Sequence, residues 1–423
     1  MAMEVETSVP TKRMSEMFRA LAHRNYRLFW SGAFLSNTGT WMQAVAQGLL
    51  VLKLKNSPFW LGFDGFMVTA PGMVLTLVGG VFGDLLDRKR LLIFTQIGAG
   101  LSALTLALLV ATGLVKLWMV LVLSFVTGSC MSLAGPSFQA ITVDLVGRED
   151  LANAIALNST QFQLSRVIGP TFAAATLSAF GSAGCFLANG LSYVAIVAAL
   201  ARVRFGGSGR APAEAPSRST NSPRTFWQDL VNGLRYAQKH PGVRGLLLIS
   251  AMTSLFGAPY FTMVPLFARD VLRMGDTGVA VMMGTAGAGA LCGALLLAFL
   301  GNFKSKGLFV LRGALSFAVC LTIFALAARP VLSLLMLFGV GFSLVSFVAV
   351  INMLLQELVT DEMRGRVMSM FILSFIGMIP IGNVITGAIA ERYGAPHTLA
   401  VCGAIITLFI TIVYLRNARL RGL

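Results

Sequence analysis

The chain is poor in charge. Only 12% of its 423 residues are Asp, Glu, Lys or Arg, and 17 of these are acids. A soluble domain carries about 25% charged residues, so a water-exposed surface around a single core is not the expected architecture. Histidine is scarce: His23, His240 and His397 are scattered through connecting segments. The five cysteines, Cys130, Cys185, Cys292, Cys320 and Cys402, fall in separate apolar stretches with no CxxC pair. This spacing argues against zinc, haem and copper centres, and it favours inert buried thiols over disulfides. There is no GxxxxGK[ST] phosphate loop, no glycine-rich dinucleotide fingerprint after a strand and no HExxH. ATP-driven transport by this chain alone, nicotinamide chemistry and intramembrane hydrolysis therefore lack their usual machinery, and neither an enzyme nor a cofactor is expected. The first 25 residues are polar and basic without an apolar core, so no cleaved signal peptide is indicated.

What is present is oil-soluble. Hydrophobic residues make up 56% of the chain, in repeated runs of 18 or more. Each run is long enough to cross ~30 Å of hydrocarbon. The pattern predicts an all-α integral membrane protein of twelve transmembrane helices in two six-helix bundles. The helices are expected near 28–52, 59–84, 90–112, 118–137, 153–178, 183–203, 243–268, 278–300, 308–328, 331–356, 366–389 and 395–415. The domains are then a cytoplasmic segment 1–27, a bundle 28–203, a linker 204–242, a bundle 243–415 and a tail 416–423. Gly206-Gly207-Ser208-Gly209, Pro212, Pro216 and Pro223 give the linker its chemistry, and Phe226 to Gln238 could lie at the interface as a short helix.

The net charge of +16 is read as topology rather than as nucleic-acid binding. With the N-terminus cytoplasmic, 25 basic residues fall in inner segments and 7 in outer ones, with Arg166 inside a helix. Both termini are therefore expected inside, in a multi-pass cell-membrane protein. The halves also look like copies. Asp144-Leu145-Val146-Gly147-Arg148, Ile168-Gly169-Pro170 and Phe180-Gly181 correspond to Asp361-Glu362-Met363-Arg364-Gly365-Arg366, Ile379-Pro380-Ile381-Gly382 and Tyr393-Gly394. Parallel repeats with a site at their interface are a transporter pattern.

One charged turn stands out, Gly83-Asp84-Leu85-Leu86-Asp87-Arg88-Lys89-Arg90, set between two apolar stretches and thus on the water side of a membrane hairpin. It resembles the loop between the second and third helices of the major facilitator superfamily. Asn25-Tyr26-Arg27-Leu28-Phe29-Trp30, Ser165-Arg166-Val167-Ile168-Gly169-Pro170 and Arg364-Gly365-Arg366-Val367-Met368-Ser369 extend the likeness over the full length. More narrowly, they are similar to the bacterial branch of enterobactin and proton-driven multidrug exporters. The turn is shorter than the family's, and Ser124 stands near the place where many proton antiporters carry an arginine in the fourth helix. The resemblance implies a gating role for Gly83, Asp87, Arg88, Arg90, Asp144, Asp361, Arg364 and Arg366. In that role Asp87 would face the start of helix 11, and Arg88 and Arg90 would pair with Asp144. The alternative is that these charges only fix topology.

Within the spans, Arg166 is the sharpest residue. A mid-helix arginine costs at least ~2.5–3.5 kcal/mol and needs a polar cavity or a partner. Gln161, with Asn158 and Gln163, makes its helix unusually polar. Arg166 is either a substrate or gating contact or a structural bridge. Asp64 is the only acid well inside a span. It is either a proton-exchanging carboxyl or a group wetted near the outer surface, and a direct pair with Arg166 is marginal at ~12 Å axial offset. Asn37, Gln43 and Gln47 on the first helix, and Asn352 and Gln356 on the tenth, either line a cavity or bond helices together. Gly257-Ala258-Pro259, Pro265, Gly377, Pro380 and Gly382 are expected to break helices 7 and 11.

These features lead to the expectation of a secondary transporter exporting a small amphipathic molecule, drug-like or siderophore, by alternating access coupled to proton entry. Its partners would be that molecule, protons and the lipid bilayer, with no nucleic acid, and a monomer is the simplest state. The alternatives are a proton-coupled importer and a non-transporting sensor or assembly protein of the same fold.

Overall fold

The computed structural model describes residues 18–75, 87–203, 233–301 and 303–422, and every regular element among them is helical. Gly83 and the rest of the charged turn up to Leu86, most of the linker expected at 204–242 and the first 17 residues lie outside the described residues.

The N-terminal half runs through α1 (Arg24–Leu54), α2 (Pro58–Thr69), α3 (Arg88–Ala111), α4 (Leu117–Val146) and α5 (Leu151–Arg202). The C-terminal half runs through α6 (Pro241–Phe256), α7 (Tyr260–Leu266), α8 (Gly275–Leu300), α9 (Lys306–Leu326), α10 (Pro330–Leu358), α11 (Asp361–Phe375), α12 (Met378–Tyr393) and α13 (Ala395–Arg416). Among the described residues, nine helices are long and apolar enough to cross a membrane. Besides α5, which is itself two limbs joined at Gly181, two of the nine are composite. The first joins α6, α7 and a π-helical turn, Phe267–Val271; the second joins α11 and α12. The breaks fall at Gly257–Pro259 and Ile376–Gly377, where the sequence places its helix breakers. α1 and α2 are not among the nine. The first carries many polar residues, and the described length of the second is 12 residues.

α5 covers two expected spans. It is interrupted only at Gly181, whose φ of 63° and ψ of −167° turn the chain between two helical limbs. The limbs pack on each other, with the Cys185 thiol pointing to the Ala173 carbonyl. Gly394, its counterpart in the repeat, has φ 81° and separates α12 from α13. A side chain is strained at such angles, which is why glycine stands at both places.

Surfaces and contacts follow the lipid setting. Phe94, Leu101 and Leu108 form an exposed stripe at seven-residue spacing on α3, and Val401, Leu408 and Leu415 do the same on α13. In water such stripes would be a liability; in a bilayer they are the solvent contact. Apolar burial drives little association between helices already in lipid, so close backbone approach takes over. α8 and α10 show it most clearly. A Cβ on Gly289 would lie 2.0 Å from the Phe338 carbonyl oxygen, and one on Gly341 would lie 1.9 Å from that of Ala286. Gly287 and Gly293 pack in the same way, against Arg166 and Phe342. All five cysteines are free thiols.

Candidate functional site

The polar residues of the N-terminal half converge on one carboxyl group. Asp64 lies six residues into α2, about 9 Å along its axis, and it is 6% exposed. It is buried rather than wetted, which corrects that alternative. The Gln47 amide of α1 donates to both carboxylate oxygens, at 2.8 and 3.1 Å. The Ser124 hydroxyl of α4 donates to one of them at 2.6 Å. The same hydroxyl lies 2.8 Å from the Val120 carbonyl oxygen, so it has two acceptors within reach. The chain of bonds continues away from Asp64. Gln43 donates to Gln47 at 3.2 Å and accepts from Asn189 at 2.7 Å, and Asn189 accepts from Ser192 at 3.1 Å. Three helices, α1, α2 and α4, thus meet on a buried acid whose bonding partners are all uncharged, and α5 is joined to them through Asn189. The arrangement suits a carboxyl that changes protonation, because a hydroxyl can switch from donor to acceptor without moving the backbone.

Arg166 has a separate environment. Its guanidinium lies over the rings of Trp41 and Phe261, at 5.3 and 5.8 Å from the centroids. Those two rings meet edge to face at 5.6 Å, and Phe162 packs on Trp41 at 5.9 Å. The Tyr260 hydroxyl is alongside the guanidinium. Arg166 is therefore bounded by aromatic faces from both halves of the chain, a cation–π arrangement rather than a bridge to backbone carbonyls. Arg166 Nε lacks a hydrogen-bond partner, as does the amide nitrogen of the buried Gln161, five residues earlier and on another side of the same helix. Asn37 is half-buried on α1.

At the end where α1 meets α2, the two halves close on each other. The Glu391 carboxylate of α12 accepts from the Ser57 hydroxyl at 2.7 Å and from the Phe59 N–H at 3.2 Å. It thereby caps the first turn of α2 from the opposite half, where the helix dipole favours an anion. Arg269 bonds Asn56 across the same gap. Deeper in, a Cβ on Gly62 would lie 2.3 Å from the Asn383 carbonyl oxygen and 3.0 Å from Gly387 Cα. This seam is backbone against backbone.

At the opposite end the charged residues pair within their own halves. Arg88 of α3 bonds Asp144 of α4 at 3.3 Å, as expected. Lys306 at the start of α9 bonds Glu357 near the end of α10, the matching place in the second half. Lys89 donates to the carbonyls of Ala201 and Val203, at the end of α5. Two expectations change here. Asp87 accepts from the Arg90 N–H at 3.1 Å, so its carboxylate caps its own helix α3 rather than the start of the eleventh span. Arg88, not Arg90, makes the bond to Asp144. Asp361 pairs with Arg364 at 2.6 Å within the first turn of α11, and Arg366 packs on the Met363 sulfur. Asn352 and Gln356 bond each other. Gln356 is exposed two residues from the end of α10, close to the helix end where the sequence places it.

Residues 15–423 match the model of the transmembrane secretion effector family of the major facilitator superfamily. The chain belongs to that family. It is a multi-pass membrane transporter, not an enzyme. Macrolide efflux protein A of Streptococcus pyogenes is 23% identical over 354 residues, covering 82% of this chain and 84% of that protein. The enterobactin exporter EntS of Escherichia coli is 24% identical over 407 residues, covering 94% of each. Among solved structures, the nucleoside transporter NupG superposes with a TM-score of 0.70 at 12% identity, covering 92% of this chain and 99% of that one. At that identity the likeness concerns the fold.

Several site residues of this transporter escape the sequence. Asn189 is the only Asn in its limb of α5 after Gly181 but shows no local pattern. Glu391 reads as an ordinary loop charge beside Arg392. Tyr260 and Phe261 follow a helix breaker and look like plain apolar filler.

Proposed function

We propose that this chain is a twelve-helix, two-bundle exporter of a small amphipathic molecule, drug-like or siderophore, and that proton entry drives it by alternating access. The first bundle would be 28–203 and the second 243–415, with 1–27, the 204–242 linker and 416–423 cytoplasmic. The names of the relatives support efflux, and the likeness to major facilitator structures supports the bundle layout. The basic bias of the expected inner segments supports both termini inside. In that orientation the seam at Ser57, Gly62 and Glu391 is the outer gate and is closed, so the state described is sealed outside.

The observation that carries the reading is the buried Asp64 carboxyl, held by Gln47 and Ser124 with no charged partner among its bonds. In the charged form it accepts all three bonds. When a proton arrives, the Ser124 hydroxyl turns to the Val120 carbonyl and its oxygen becomes an acceptor for the new O–H. Gln47 links this change to α1, whose Trp41 touches Arg166 and Phe261 of the other half. Substrate would bind beside Arg166, whose free Nε–H would engage its acceptors while the rings of Trp41 and Phe261 cover its apolar surface. The charge motifs at the opposite end would lock the inner gate in the alternate state.

The test is accumulation of a fluorescent drug or a labelled macrolide in inverted vesicles under an imposed pH gradient. The wild type accumulates it. Asp64→Asn is expected to lose gradient-driven accumulation while still binding substrate, and unchanged accumulation would exclude Asp64 as the carrier.

A further inference from the structure

A cleft of ≈ 420 Å³ opens between α8 and α9 over α10, at the end that carries Arg88, Lys89 and Lys306. Leu296, Phe342 and Leu308 give it apolar walls, and Lys304 and Arg312 are its two cations. No acid lines it. The one carboxylate close in sequence to its walls, Glu357, is taken by the buried Lys306. Within the cleft the hydroxyl of the buried Ser343 bonds that of Ser316 at 3.1 Å, and that of the buried Ser346 bonds the Phe342 carbonyl, so these polar groups are satisfied. The neighbouring side chains Leu295, Phe299 and Leu315 are exposed and apolar, with Phe299 88% exposed. The cleft therefore faces hydrocarbon rather than the space between the halves.

Arg312 lies six residues into α9, about 9 Å from its start. An arginine on a lipid-facing surface at that depth is costly unless its head reaches the interface or meets an anion. Arg312 and Lys304 both border this cleft, and neither takes part in an ion pair among the described residues. We infer that the cleft binds one acidic phospholipid, its phosphate held by Lys304 and Arg312 and an acyl chain lying against Leu296 and Phe342. Charge complementarity selects an anion, and the apolar walls select one that carries hydrocarbon, which excludes a free phosphate ion as the occupant. The basic end of a membrane protein faces the leaflet where acidic lipids attract Lys and Arg.

Native mass spectrometry of the full-length protein in detergent tests this, with phosphatidylglycerol, phosphatidylcholine and soluble glycerol phosphate as probes. Retention of phosphatidylglycerol alone is expected. Replacing both cations, Lys304→Ala with Arg312→Ala, should weaken it about 30-fold. The charge-conserving pair Lys304→Arg with Arg312→Lys should keep most of the affinity, and Lys304→Gln alone should lose part of it if the double variant fails to fold. Equal retention of phosphatidylcholine, competition by glycerol phosphate at the same concentration, or undiminished phosphatidylglycerol binding by the neutral variants would each overturn the inference.

Discussion

The two halves of this transporter share helices, turns and end clamps, yet they differ in what they bury. The N-terminal half encloses the amides of Gln43, Gln47, Gln96, Gln161 and Gln163 and the carboxyl of Asp64. Among the described residues of the C-terminal half, the buried polar groups are Ser and Thr hydroxyls, the Tyr260 hydroxyl, the Asn383 amide at the seam and Lys306, which is clamped to Glu357. Hydroxyls on helices bond their own preceding turn, as Thr253, Ser346 and Thr398 do, and cost little. Amides and a carboxylate need partners from other helices. A repeated fold can therefore hold titratable chemistry in one copy and leave the other as close-packed scaffold, with Gly289 and Gly341 as its contacts. The end clamps are duplicated, Arg88–Asp144 in one half and Lys306–Glu357 in the other, which suggests that both copies need them for the same mechanical reason.

If the asymmetry is functional, neutralising Asp64, the buried acid that has no cationic partner as Asp150 has in Arg19, should have the largest effect. Asp64→Asn should reduce pH-gradient-driven accumulation to the level of empty vesicles, while Gln356→Ala in the other half should leave it within about twofold, since surface substitutions away from such sites change little. Next is the aromatic surround of Arg166, which spans both halves. Arg166→Gln should weaken substrate binding about 5–30-fold, the range of a desolvated cation–π contact, as read by tryptophan quenching from Trp41. A smaller effect is expected at the seam. Glu391→Gln removes the charge that caps α2, and spin labels at Lys55 and Arg392 should then shift by a few-fold in population toward longer distances. Smallest is the cap of α3. Asp87→Ala should lower stability by about 1 kcal/mol in thermal unfolding, whereas Asp87→Asn, which can still cap, should be near neutral. A transport defect in Asp87→Asn at normal stability would give the residue a gating role in addition to its cap.

Much of the architecture is legible from local pattern. The expected spans fall on helices wherever residues are described, although α4 runs on to Val146, past the end expected at 137, and the breaks at Gly257–Pro259 and Ile376–Gly377 fall where glycine and proline cannot sustain a straight rod. The repeat pairs Gly181 with Gly394, and both take positive φ. The site is only half legible. Asp64, Gln43, Gln47 and Arg166 stand out because polar groups are rare in apolar spans. Their partners do not stand out: Ser124 is 60 residues from Asp64 and Asn189 is 146 from Gln43, and serine or asparagine in a helix is unremarkable without its neighbour. The family motif points Asp87 toward the eleventh span, while the N-cap position before Arg88 supplies a nearer partner. α10 runs to Leu358, two residues past the end expected at Gln356, because hydropathy alone does not fix a helix end to within a turn.

The single-residue corner at Gly181, repeated at Gly394, has a consequence for movement. With no connecting loop to take up play, the two rods joined there cannot slide along one another, and each such pair must travel as a rigid elbow. Any stroke that opens one face of this protein and shuts the other must then come from whole blocks tipping, with their give confined to places such as the broken turns at Gly257 and Gly377.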